Sequence, residues 1–208
     1  MAVDPTAERY LPYEVYKNMP ELLRMRGAET THRFLNQSKF TTEFSHFEKI
    51  VIQATRGDRK LYIFITSPGS KFATRLPEFK KMIHEVPEAE FKKGPEILII
   101  SENNLTNYIM TEIKQRRYDY KDLYIEMHDY SIFVTLPEKN VNIQHHEIVP
   151  EDELREFLQT HHRSKRDLPK IFASDTPVVW LGGRPGDVIK VLRISETVGE
   201  APAYRIVI

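Results

Sequence analysis

Pro95-Glu96-Ile97-Leu98-Ile99-Ile100-Ser101 is the stretch on which the fold turns. Four consecutive uncharged aliphatic residues, entered through Gly94-Pro95, fit a short buried strand. Before it, Phe79, Met82, Ile83 and Val86 recur at helical spacing and stop at Pro87. After it, Leu105, Ile109 and Ile113 repeat every four residues and lead into Lys114-Gln115-Arg116-Arg117, cations that suit the negative end of a helix. Leu123–Met127 and Ser131–Thr135 then read as a strand pair. This alternation of helix and strand over 74–127 favours an α/β layer over an all-β sandwich.

Working outward, Ile50–Ala54 and Leu61–Ile65 flank Thr55-Arg56-Gly57-Asp58-Arg59, whose central glycine suits a hairpin loop. Farther upstream, Leu11, Val15, Leu22, Leu23 and Met25 fall on one face of a helix that Pro20 should break and Gly27 should stop. Phe34, Phe40, Phe44 and Phe47 suggest a second helical stretch over 31–48. A first domain, 1–140, should end in the connection Pro137-Glu138-Lys139-Asn140. In the second, 141–208, Pro150 and the acids Glu151, Asp152 and Glu153 open a helix that His161-His162 closes. The rest, 171–208, reads as β-rich, with a type II turn at Arg184-Pro185-Gly186-Asp187, a strand at Val188–Ile194 and a final strand at Ala203–Ile208.

Composition narrows the chemistry. The 208 residues contain no cysteine, which excludes disulfide frameworks, thiol nucleophiles and cysteine-held zinc or iron–sulfur groups. Thirty Lys and Arg balance thirty Asp and Glu, so the surface as a whole is not built to grip a polyanion. Over 141–208 nine cations face ten anions, and over 1–140 twenty-one face twenty. The opening Met1-Ala2-Val3-Asp4-Pro5 lacks a secretory pattern, and no apolar run approaches the roughly 20 residues that span a bilayer; a cytosolic or nuclear protein without a membrane partner is expected.

Several residue groups invite catalytic readings. His145-His146-Glu147 and His161-His162 hold potential metal ligands, but adjacent helical side chains diverge by about 100° and no His-Glu-x-x-His is present. Gly182-Gly183-Arg184-Pro185-Gly186-Asp187 lacks the Lys-Ser/Thr ending of a phosphate cradle and precedes a strand. Glu78-Phe79-Lys80 and Glu90-Phe91-Lys92 carry the acid and lysine of a metal-dependent nuclease without its strand-edge setting. Lys92, Lys93, Arg116 and Arg117, with Tyr118 and Tyr120, could lie near nucleic acid or form a solvated face. No catalytic residue, metal or cofactor is assigned.

From Asn142 onward the chain runs Asn142-Ile143-Gln144-His145-His146-Glu147-Ile148-Val149-Pro150, then Leu168-Pro169-Lys170-Ile171, Ser174-Asp175-Thr176-Pro177, Gly186-Asp187-Val188-Ile189-Lys190, Arg193-Ile194-Ser195-Glu196-Thr197-Val198-Gly199 and Tyr204-Arg205. This order resembles the C-terminal domain of the fifth subunit shared by the eukaryotic nuclear RNA polymerases, a domain whose archaeal polymerase counterpart lacks the N-terminal jaw. The segment Pro177–Asp187 looks most like versions encoded by large cytoplasmic DNA viruses. Departures from the family pattern are Asp152 in place of a histidine, Thr176 between Asp and Pro, and Ile194 and Val198 in place of Pro and Ala.

The resemblance implies an α/β N-terminal jaw domain followed by a small α+β C-terminal assembly domain. It implies a noncatalytic subunit of a multisubunit DNA-directed RNA polymerase that docks on the largest subunit, with the jaw beside downstream duplex DNA. Location would follow the source: virion and host cytoplasm, or nucleus. The family motif falls on His146, Val149, Pro150, Leu168, Pro169, Ile171, Asp175, Pro177, Gly186, Arg193, Ser195, Glu196, Thr197, Gly199, Tyr204 and Arg205. Leu168 and Ile171 read as core rather than contact. A free-standing nucleic-acid or protein adaptor and a metal-dependent nuclease are the competing readings.

Overall fold

The apolar run at 97–100 becomes an interior strand, β3 (Glu96–Ser101), buried along its whole length. The computed structural model describes residues 5–72, 75–91, 93–102, 106–120, 122–137, 145–195 and 199–208, and the side chains of 5–10 and 193–200 lie outside that description. The chain divides into two compact units, Met1–Val134 and Thr135–Ile208. No helix among the described residues is long and apolar enough to cross a membrane.

In the first unit, β1 (Lys49–Arg56) and β2 (Arg59–Thr66) form an antiparallel hairpin, and β2, β3 and β4 (Tyr124–Asp129) run parallel, in the order β1-β2-β3-β4. Parallel neighbours need crossovers. These contain α4 (Leu76–Ile83) with the short α5 (Glu88–Phe91), and α6 (Asn107–Asp119). Phe79, Met82 and Ile83 of α4 and Ile109 and Ile113 of α6 pack with Tyr62, Phe64, Ile97, Ile99 and Ile125 in one buried cluster. The helix expected through Val86 ends at Ile83, because Glu85 and Val86 bond to Met82 and Ile83 in tighter turns before Pro87.

The alternate residues of the sheet, Ile63, Leu98 and Glu126, are in register on its other face. Arg26, which caps α2 (Met19–Met25), reaches Glu126 at 2.6 Å. The helix α1 (Pro5–Lys17) precedes it, so the broken helix is present, but the break is at Asn18. Pro20 occupies the first turn of α2, where its missing N–H is harmless, and the Asn18 amide donates to the carbonyls of Phe133 and Val134 at 2.8 and 2.9 Å. Gly27, at φ +61°, ends the segment.

Three other expectations change. The second helix shrinks to α3 (Gln37–Glu43), capped where the Asn36 side chain accepts from the Lys39 N–H; Phe34, Phe44 and Phe47 lie outside it and join Tyr16 and Phe40 through ring contacts instead. The hairpin loop contracts to Gly57-Asp58, since Arg56 already pairs with Arg59; Gly57 at φ +61°, with Asp58 outside the left-handed region, makes a type II′ turn. Ser131–Thr135 is not a strand. Asp129 accepts the Ser131 N–H through its side chain, Tyr130 accepts from Phe133 and Val134, and the chain turns into α7 (Ser131–Val134).

The second unit holds a sheet in the order β5-β7-β8-β6: β5 (His146–Ile148), β7 (Val188–Ser195) and β8 (Gly199–Val207) are antiparallel, and β6 (Lys170–Ile171) runs parallel to β8. The expected helix is α8 (Glu151–Thr160), and Val149, Leu154, Leu168 and Val188 form its buried contact with the sheet, flanked by Phe157, Leu158, Tyr204 and Ile206. The turn at 184–187 is present: Asp187 donates to the Arg184 carbonyl at 2.9 Å, with Gly186 at φ +98°. Within the stretch read as β-rich, Thr176–Leu181 is a helix, α9. Val178, Val179, Trp180 and Leu181 are all buried, so the run shows no polar face by which a helical period could be read.

Candidate partner-docking surface

The motif residues of the second unit divide by what they do. Leu168 and Ile171 are buried, and the Ile171 carbonyl accepts from the Ile208 N–H at 2.9 Å. Val149 is buried and donates its N–H to Val188 at 2.9 Å, which places β5 at the start of α8. Pro150 occupies the N-cap, where its carbonyl accepts from Leu154 and its fixed φ aims the chain into the helix. The Pro169 carbonyl accepts from Ile206 at 2.8 Å, and the Gly186 N–H donates to Val207 at 2.9 Å, so both hold β8 by main-chain bonds while Pro169 stays exposed. Asp175 stands at the N-cap of α9, its carbonyl accepting from Val179, and Pro177 lies in the first turn.

His146 pairs with Val191 in β5 and is half-buried. Arg193 pairs with Ala201 and Ser195 with Gly199, closing the end of the β7–β8 hairpin. Glu196 and Thr197 lie outside the described residues, as do Asn142–Gln144 and Lys92. Arg205 donates to the Lys170 carbonyl at 3.4 Å across the β8–β6 pair. Tyr204 stacks on Phe157, centroids 3.9 Å apart and planes 26° apart.

That stack opens into a groove of about 460 Å³, lined by Phe157, His161, Arg163, Leu168, Pro169, Pro202, Ala203 and Tyr204. Only Leu168, Pro169 and Tyr204 among these belong to the motif; Phe157 could be read as helix core, and nothing in the pattern marked Pro202. The groove's upper edge is the end of α8. Arg163 donates to the Leu158 carbonyl at 2.9 Å and His162 to Gln159 at 3.2 Å, the two bonds of a Schellman stop. His162 takes the left-handed conformation, φ 48°, where glycine is usual, and the next position, commonly apolar, is Arg163.

Elsewhere the histidines form no ligand set: His145 Nε2 lies 3.9 Å from the exposed Glu147, and among the described residues no three His, Asp or Glu gather as a metal would need. Lys190 bridges Glu147 and Glu153 at 2.8 and 3.4 Å, and this contact raises its pKa. In the first unit Arg116 holds Glu112 at 2.9 Å, and Arg117 donates to the Ile125 carbonyl and lies over the Tyr124 ring. Lys93 pairs with Glu90 at 3.1 Å with most of its side chain in solvent. Glu78 and Lys80 lie on α4, whereas Glu90 closes onto Lys93, so neither acid–lysine triplet stands on a strand edge.

The unit that carries this groove matches a known family. Residues 137–207 match the RNA polymerase Rpb5, C-terminal domain family. The DNA-directed RNA polymerase RPB5 homolog of African swine fever virus, isolate Tick/South Africa/Pretoriuskop Pr4/1996, is 34% identical over 146 residues, 70% of this chain and 71% of its own. The chain belongs to the Rpb5 family of RNA polymerase subunits. The archaeal subunit Rpo5 of Methanococcoides burtonii is 46% identical over 66 residues, 32% of this chain and 85% of its own. The viral match is more than twice as long as the archaeal one, so the Rpb5-family likeness extends beyond the C-terminal domain into the first unit. As a polymerase component the chain serves transcription, with the other subunits of that enzyme as its partners.

Proposed function

We propose that this Rpb5-family chain docks through its C-terminal unit on the largest subunit of a multisubunit DNA-directed RNA polymerase, and that its N-terminal unit is the jaw beside downstream duplex DNA. The observation that carries the reading is the division of the motif. Leu168, Ile171 and Val149 are interior, Pro169 and Gly186 fix strands through the main chain, and the rigid frame leaves Pro150, Pro169 and Tyr204 at or near the surface. A rigid, partly apolar face is what a subunit interface buries. The DNA contact is peripheral: charge is balanced in both halves, Arg116 and Arg117 serve internal contacts, and Lys93 is exposed but paired with Glu90. The chain works where its polymerase works, in virion and host cytoplasm for a viral enzyme or in the nucleus for a cellular one.

Affinity purification of the tagged chain from its source is expected to recover the two largest polymerase subunits in stoichiometric amount. Recovery of the chain without them would refute the docking. The purified chain alone, with magnesium, is expected to leave duplex DNA intact.

A further inference from the structure

Residues 28–36, between α2 and α3, form an irregular strap beside β1, the edge strand of the first unit's sheet. Two main-chain bonds at 2.8 and 2.7 Å join Glu29 to Thr55, and the Thr30 hydroxyl donates to the Gln53 carbonyl. The strap residues at this edge, Glu29-Thr30-Thr31, are polar, and with Gln53 and Lys60 they line a cleft of about 290 Å³. The other hold is on α1. There the fully buried Tyr16 packs against the rings of His32 and Phe34, with centroids 5.9 and 5.4 Å away. Its hydroxyl oxygen accepts the Leu35 N–H at 3.2 Å and lies 3.0 Å from Nε2 of His32.

The imidazole tautomer follows from the donors around that oxygen. Tyr16 accepts from Leu35 and has one proton of its own to place. Among the described residues it meets no other hydrogen-bonding partner than His32, so its O–H donates to Nε2, which carries no proton. A proton on Nε2 would set two donors against the phenol oxygen and leave the Tyr16 O–H buried without an acceptor, an arrangement that folded proteins avoid. The ionisable groups that act on the pair are Glu43 at the end of α3 and Tyr13 of α1. Burial is the larger influence on His32 and holds its pKa below the ordinary 6.5, while the Glu43 charge pulls it upward by less.

We propose that residues 28–36 are an acid-released strap: neutral His32 fastens the segment to α1 and across the edge of β1, and protonation of Nε2 frees it. The fastened imidazole binds a proton less readily than the free one, so closure is complete above about pH 6.5 and weakens as the pH falls below it. Release opens the main-chain groups of Gln53 and Thr55 to pairing with another extended chain. The strap belongs to the first unit, and its behaviour is separate from membership of the polymerase.

The test is NMR of the isotope-labelled full chain. At pH 7.5 the His32 ring is expected as the Nδ1–H tautomer; Nε2–H at that pH overturns the proposal. Between pH 7.5 and 5.5 the protection of the Thr55 and Leu35 amides, corrected for intrinsic exchange, is expected to fall by up to about tenfold, the factor set by one pH unit below 6.5. Leu98 and Ile99 of β3 are expected to keep theirs. No fall at Thr55 and Leu35, or an equal fall in β3, overturns the strap. In His32→Gln, whose amide oxygen accepts the Tyr16 proton without titrating, the fall is expected to vanish. Its persistence at the wild-type size assigns the response to another group and overturns the proposal.

Discussion

The sheets of the two units bury themselves in different ways. In the first, β2 and β3 are interior strands with apolar side chains on both faces, and Ile97 and Ile99 on one side and Leu98 and Ile100 on the other are almost wholly excluded from water. In the second, the longest strands form an antiparallel hairpin, edged by a three-residue β5 and a two-residue β6. Its α8-facing cluster holds the buried residues Val149, Leu154, Leu168 and Val188. The difference shows what each sequence is free to vary. A doubly covered sheet tolerates exchange among aliphatic residues of similar volume. A thin sheet held by short edges depends on particular residues at particular backbone positions: Pro150, Pro169 and Gly186 each place a main-chain bond. The recognisable motifs accordingly lie in the second unit, and the family match at 137–207 covers it.

The largest test of this contrast removes Tyr204–Ile208. That segment supplies the β8 partners of β6 and three of the eight β7–β8 pairings, together with the Gly186–Val207 bond. Its loss should unfold the second unit and abolish incorporation into polymerase, while amide exchange in β2 and β3 remains slow. Fast exchange in both sheets would show that the units are not independently stable.

A smaller effect probes a buried ion pair of the first unit. Arg26 is fully buried against Glu126, and Glu126 also accepts from His128 at 3.1 Å. Burial alone would raise the Glu126 carboxyl, but the Arg26 charge and the His128 contact outweigh it and draw it down to about 2. Glu126→Gln leaves the arginine uncompensated and should cost about 3–5 kcal/mol in denaturant unfolding. The folded pKa lies below the unfolded value near 4.5, so the carboxylate's contribution is complete above about pH 4.5 and disappears as the pH falls toward 2. A wild-type stability profile flat between pH 5 and pH 2 in the first unit's probes, on the scale of roughly these carboxylate shifts, would count against the pair.

The smallest effect tests the entry to β3. Gly94 has φ +67°, and a Cβ there would lie 2.3 Å from Cβ of Asp122. Gly94→Ala should destabilise the first unit by about 1–3 kcal/mol without altering the second. No change in the unfolding midpoint would mean that the 93–95 turn relaxes freely.

Much of this architecture was legible locally. The spacing of Phe79, Met82 and Ile83, the isolated run at Ile97–Ile100 and the acids opening α8 each specify an element through contacts a few residues apart. Ser131–Thr135 misleads because its composition suits a strand, whereas a side-chain bond from Asp129 and the distant amide of Asn18 favour a helical turn. Thr176–Leu181 hides its helix because all four of its last residues are buried, which erases the polar stripe. The docking groove is the least legible feature: Phe157, Pro169, Pro202 and Tyr204 are scattered over forty-eight positions of sequence and meet only when α8 covers β8.

By itself the sequence determined the cysteine-free chemistry, the balanced charge, the order of most elements and the family to which the chain belongs, because these depend on composition, short-range periodicity and motif order. Only the tertiary structure decided which motif residues are interior, which hold strands by their main chain, and which share a groove. Burial and juxtaposition are properties of residues far apart along the chain, and no local pattern encodes them.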